Sequence, residues 1–177
     1  MPQTLIHLVP IYLPYRPAVL PALSEQLQRT FAATVVVRPP RFDAETTFDS
    51  SRGQYHATAL IDRLLHEHRV PGARVLGVAG VDLFIPILTY AFGEAQLDGS
   101  AAVVSTYRLD NKHYGLPSDE ALLSERLNKE ATHELGHTFG LLHCQRGRCV
   151  MHSSTYVEDI DLKSADPCTK CRQLLVT

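Results

Sequence analysis

The chain has 177 residues, 45% of them hydrophobic and 20% charged, and its 17 basic and 19 acidic side chains leave a net charge of −2. That length suits one domain with a real core, and the balanced charge excludes the basic field that nucleic-acid binding requires. No apolar run reaches membrane-spanning length, and there is no repeat or low-complexity stretch.

Leu5-Ile6-His7-Leu8-Val9 predicts a first strand, and Leu20, Leu23, Leu27 and Phe31 recur at helical spacing after a proline-rich turn. Thr34-Val35-Val36-Val37 is a short β-branched strand stopped by Pro39-Pro40, and residues 41–53 read as a polar loop. Ala57, Leu60, Ile61, Leu64 and Leu65 form the apolar stripe of a second helix. Arg74 to Ala79 predicts a buried strand. Thr89 to Gln96 and Ala101 to Tyr107 predict two more, joined by a turn at Asp98-Gly99. A third helix is expected from Ser118, as its N-cap, to Leu142. Strands alternating with helices and then a hairpin give a mixed sheet covered by helices.

Chemistry concentrates at the end of that third helix, where His133-Glu134-Leu135-Gly136-His137-Thr138-Phe139-Gly140-Leu141-Leu142-His143 reads H-E-x-x-H-x-x-G-x-x-H. Residues four apart on a helix share a face, so His133 and His137 can reach the same metal ion. Glu134 then leans beside the metal rather than onto it, the position of a general base. Gly140 can take positive φ, which lets the helix stop and the chain return His143 as a third ligand. Three protein nitrogens leave a tetrahedral zinc one open position, the catalytic arrangement. The pentapeptide alone arises by chance on many helices; Gly140 and His143 at fixed spacing make the pattern specific, and it is identified as the metzincin signature.

All four cysteines follow the motif: Cys144 and Cys149 as C-x4-C, Cys168 and Cys171 as C-x2-C. Both spacings suit a structural zinc, whose closed thiolate shell does no chemistry but clips a tail too short for its own core. The other reading is two disulfides or free thiols, and disulfides need an oxidising compartment. Met1-Pro2-Gln3-Thr4 carries no basic side chain, and prolines break the apolar stretch after it. No secretory leader is therefore expected, and the cytoplasm is the expected address.

From His133 the chain reads HExxHxxGxxHC-x4-C-x-M, then sixteen residues, then CxxC. It resembles the archaemetzincins, small zinc metalloproteases of the metzincin clan. Ala91 to Ala95 and Ala101 to Ser105 are similar to that family as well. The resemblance implies an α/β (α+β) fold: a mixed twisted sheet of about five strands, three main helices and a small zinc-clipped C-terminal subdomain. The expected organisation is a single domain over 1–177, with an N-terminal subdomain to residue 140 and a C-terminal one over 141–177.

The resemblance also implies that Met151 lies on a tight turn beneath the zinc site, where a soft thioether fills an irregular gap. The edge strand Tyr90 to Ala95 would pair with extended substrate, with Phe92, Gly93 and Glu94 as contacting residues. Several metzincin families carry a tyrosine two residues after the methionine; here that position is Ser153, with His152 and Tyr156 as neighbouring substitutes.

The expected activity is zinc-dependent peptide hydrolysis, with water activated by Glu134 attacking a peptide bond and two zinc ions per chain, one catalytic and one structural. No cysteine precedes the zinc helix to act as a latch. Restricted access is expected instead, favouring short peptides or aminopeptidase-like removal of N-terminal residues from a peptide or protein. A monomer with no nucleic-acid or membrane partner is anticipated. A zinc-stabilised peptide-binding module with little turnover is the alternative, and intact Glu134 argues against it. A zinc hydrolase of non-peptide substrates would share the same chemistry.

Overall fold

The computed structural model describes residues 4–175, so Met1-Pro2-Gln3, which contribute to the leader expectation, lie outside the described residues. The main sheet is built from β1 (Thr4–Ile11), β2 (Ala33–Val37), β5 (Ala73–Ala79), β7 (Gly93–Ala95) and β8 (Ala101–Ser105), in the order β2-β1-β5-β8-β7. The first four are parallel and β7 is an antiparallel edge. A smaller sheet joins β3 (Phe48–Asp49), β4 (Gln54–His56) and β6 (Leu83–Phe84).

Helices cover both faces, as parallel strands require. α1 (Val19–Phe31) and α3 (Glu120–Thr138) pack on one face over Ile6, Leu8, Leu76, Ala102 and Val104. α2 (Ala57–His68) covers the other over Val9, Val75, Ala101 and Val103. The α/β fold with five main-sheet strands and three main helices agrees with the sequence reading, and two short helices, α4 (Val157–Leu162) and α5 (Thr169–Leu175), follow. No described helix is long and apolar enough to cross a membrane.

Several boundaries differ from the expected ones. α3 starts after Asp119, whose carboxylate accepts from the Leu122 N–H at 2.9 Å, so Asp119 and not Ser118 is the cap. It ends at Thr138, not Leu142. There the Gly140 N–H donates to His137 O at 2.9 Å and the Leu141 N–H to Gly136 O at 3.0 Å. This is a Schellman closure, with Gly140 at φ 84°. The strand expected over Thr89 to Gln96 is paired in the main sheet only at Gly93–Ala95, because the Ala91 N–H turns away to Leu83 O at 2.9 Å. The strand expected to Tyr107 stops at Ser105. The loop expected over 41–53 contains a 3-10 turn at Ala44–Thr47, capped by Asp43, and the strand β3.

Register decides which way β7 faces. Gly93 lies opposite Val104 and Glu94 opposite Val103. Facing pairs share a side of the sheet. Gly93 therefore looks toward α3, and Glu94 toward α2, where its carboxylate accepts from the Thr58 hydroxyl at 2.9 Å.

Candidate metal centre and cleft

His133 and His137 project from the last turns of α3 with their Nε2 atoms 3.1 Å apart. The Schellman closure reverses the chain and returns His143, whose ring centroid is 5.2 Å from that of His133 and 5.0 Å from that of His137. One ring nitrogen from each of the three lies within 4.8 Å of the others. His133 Nδ1–H donates to Val150 O at 2.8 Å and His137 Nδ1–H to Leu141 O at 2.7 Å. A carbonyl can only accept, so both tautomers are fixed with Nε2 lone pairs free. That is how metal-binding histidines are commonly oriented. Burial holds His133 well below its ordinary pKa, with Lys163 and His137 adding to it, and burial lowers His137 too. Neutral imidazole is the form that binds a metal.

Glu134 faces a cleft of about 360 Å³. Leu88 to Gly93 form one wall and Ser153 to Tyr156 the other, over a floor of Glu130, His133, Glu134 and His143. Burial raises the Glu134 carboxyl well above the usual range, with Glu130 adding to the effect. A raised pKa suits a group that must accept a proton and then release it. Gly93 sits directly against it: a Cβ there would fall 2.7 Å from Glu134 Cγ and 2.6 Å from Val103 O.

The four cysteines carry no disulfide, and their sulfurs lie within 4.8 Å of one another. Cys144 and Cys168 Sγ are 3.9 Å apart, close to the edge of roughly 3.8 Å that a tetrahedron with metal–sulfur bonds near 2.3 Å has. The Cys171 N–H lowers Cys168 to about 6, whereas burial pushes Cys149 and Cys171 up. Both donor sets therefore fit zinc. They are also linked: the Cys144 N–H donates to Met151 O at 2.9 Å, and Val150, whose carbonyl holds His133, lies between Cys149 and Met151. Met151 is fully buried beneath α3 against Gly136.

The profile of peptidase family M54 matches residues 30–177. The chain belongs to the archaemetzincins. Over 155 residues, 86% of the M54 chain and 88% of its relative, it is 36% identical to the archaemetzincin of Haloquadratum walsbyi. Its fold matches the crystal structure of archaemetzincin from Methanopyrus kandleri with a TM-score of 0.84 and 36% identity, covering 98% and 94% of the two chains. A zinc-dependent peptidase from Methanocorpusculum labreanum gives 0.83 at 29% identity, covering 96% of this chain and 99% of that one. The M54 chain is thus a zinc metallopeptidase.

The sequence-derived site residues fall into place unevenly. His133, His143, Glu134, Phe92 and Gly93 line the cleft, His137 clusters with the other two histidines without lining it, and the four cysteines form a second cluster. Glu94 is not among the cleft-lining residues and is turned to Thr58. Of the residues near Met151, Ser153 and Tyr156 line the cleft, while His152 is not among the lining residues and donates from Nδ1 to Cys144 O at 2.8 Å. Sequence reasoning passed over Glu130, which is part of the floor, and Lys163, its buried ion-pair partner at 2.7 Å. Glu130 was detectable, standing four residues before Glu134 on the same helix face; nothing local marks Lys163.

Proposed function

We propose that the chain hydrolyses peptide bonds, with Glu134 as general base and later general acid. His133, His137 and His143 would hold the catalytic zinc, and Cys144, Cys149, Cys168 and Cys171 a second, structural one. When bound, the catalytic zinc supplies a Lewis acid that polarises the scissile carbonyl and makes water a nucleophile at neutral pH. Glu134 takes one proton from the attacking water and passes it to the leaving amine, so the carboxylate is regenerated each turnover. Its buried setting favours the first transfer, the uptake of the proton from water.

Substrate is held by backbone pairing. The Ser105 N–H donates to Phe92 O and the Gln96 N–H to Ala101 O. The backbone groups of Phe92, Glu94 and Gln96 thus face β8, and those of Gly93 and Ala95 face outward along the free edge. An extended peptide adding there is read by its main chain, with side chains entering the cleft walls. Phe92 and Gly93 lie beside it. Residues 141–177 serve as a zinc-clipped subdomain that carries His143 and the Met151 turn. A cleft of about 360 Å³ and a free edge only three residues long favour short peptides over folded proteins.

The observation that carries this reading is Glu134 buried in a cleft beside three converging histidines. The test is mass spectrometry of a mixed peptide library incubated with zinc-loaded wild type and Glu134→Ala. Cleavage by wild type alone, with zinc retained in the variant, is expected. Equal cleavage by both would remove Glu134 from the reaction.

A further inference from the structure

We propose that Tyr90 is a specificity-determining residue that closes one end of the cleft and limits how far a peptide extends past the scissile bond on that side. This rests on the peptidase reading above. The Tyr90 hydroxyl donates to Thr155 O at 2.8 Å, joining the two walls. A peptide running through the cleft at that end meets this bond.

Both ends of the bridge are anchored. The Arg108 guanidinium stacks 4.1 Å from the Tyr90 ring centre and is itself locked to Asp82 by two bonds of 2.6 and 2.7 Å. Phe92 meets the ring edge-on at 5.6 Å. On the other wall, the Asp159 carboxylate accepts from the N–H groups of Thr155 and Tyr156, each at 2.9 Å. Two walls fixed this way make the bridge a stop rather than a loose contact.

The backbone closes the same end independently. A peptide adding to β7 needs the outward groups of alternate residues, and at the next such position the Ala91 N–H is already spent on Leu83 O. Strand addition therefore ends at Gly93, one residue short of the ring of Phe92 and three short of Tyr90. The hydrogen-bonded hydroxyl and the occupied edge together oppose a continuing chain at this end.

The experiment uses a nested series of peptides sharing one scissile bond and extended on either side, with zinc-loaded wild type and Tyr90→Phe. The phenyl ring keeps its stacking on Arg108 and Phe92 and loses only the bridge. For wild type, kcat/KM should fall with extension on one side of the bond. Tyr90→Phe should raise the extended-to-short ratio on that side by roughly tenfold, without changing the ratio on the other side. A purely structural role would lower all peptides together and leave the ratios alone. Unchanged ratios, or wild type indifferent to extension on both sides, would overturn the proposal. If wild type cleaves nothing, the peptidase reading fails separately. Binding of a labelled, extended peptide to Glu134→Gln with and without Tyr90→Phe then decides the bridge: tighter binding without the hydroxyl supports it, and equal Kd refutes it.

Discussion

Gly136 and Met151 touch beneath the metal centre: a Cβ on Gly136 would lie 2.5 Å from the Met151 sulfur and 3.0 Å from its terminal methyl. A glycine inside a helix weakens it by about 1 kcal/mol relative to alanine. Here that cost permits the thioether to press on the α3 backbone, and the Val150 carbonyl, one residue before Met151, lies against His133.

Gly136→Ala therefore sets two effects against each other. Helix propensity gains about 1 kcal/mol, while overpacking a buried contact costs about 1–3 kcal/mol. The unfolding midpoint should shift little or fall modestly. Affinity for the catalytic zinc, measured by chelator competition, should fall by more, because displacing Met151 moves Val150. A stability loss with unaltered zinc affinity would show that the contact does not position the ligand.

Gly93→Ala tests the contact between the edge strand and the base. The new methyl would lie 2.6 Å from Val103 O and 2.7 Å from Glu134 Cγ, so the edge strand must shift off Val103 and Glu134 must move as well. Displacement of a catalytic group by about 1 Å can cost on the order of 100-fold. A fall in kcat of that order is expected with zinc content intact. An undiminished kcat would mean that Glu134 has room to relax.

Cys168→Ser should couple the two metal centres. Removing one thiolate opens the cysteine cluster, which holds Cys149 beside Val150 and Cys144 beside His143. Loss of an outer hydrogen-bonding partner typically lowers metal affinity by roughly 10- to 100-fold. Competition titration of the histidine site should show a weakening of that size alongside the lower stability. Wild-type affinity at the histidines would disprove the coupling.

Lys163→Met should destabilise strongly. The Lys163–Glu130 side chains are 0% and 4% exposed, and the ammonium also donates to His152 O at 3.1 Å. Leaving Glu130 charged and unpaired costs about 3–5 kcal/mol. Adding Glu130→Leu should recover much of it, because the orphaned charge is gone. Denaturant unfolding of both variants checks this, and a double variant no more stable than the single would refute the pairing argument.

Local pattern carried much of the site. Helical spacing alone aligned His133 with His137, Gly140 announced the reversal that returns His143, and two short cysteine spacings announced the second cluster. These are relations within a few residues, set by helix geometry and by the φ that glycine permits. The longer amphipathic stripes were equally legible because their period is long enough to read. The strands β3, β4 and β6 and the helices α4 and α5 were not. They span two to seven residues each, too few for a period, and exist through pairing, the Asp159 cap and the cysteine cluster.

The sequence by itself determined the family, and it singled out the candidate metal ligands and the candidate base, because each depends on residue type at fixed local spacing. Only the tertiary structure decided that Val150 O orients His133, that Gly93 rests on Glu134, that Glu94 turns to α2, and that Tyr90 reaches Thr155 across the cleft. Those relations join residues 17 to 65 positions apart. They follow from strand register and from where backbone carbonyls fall once the layers pack, neither of which a side-chain pattern encodes.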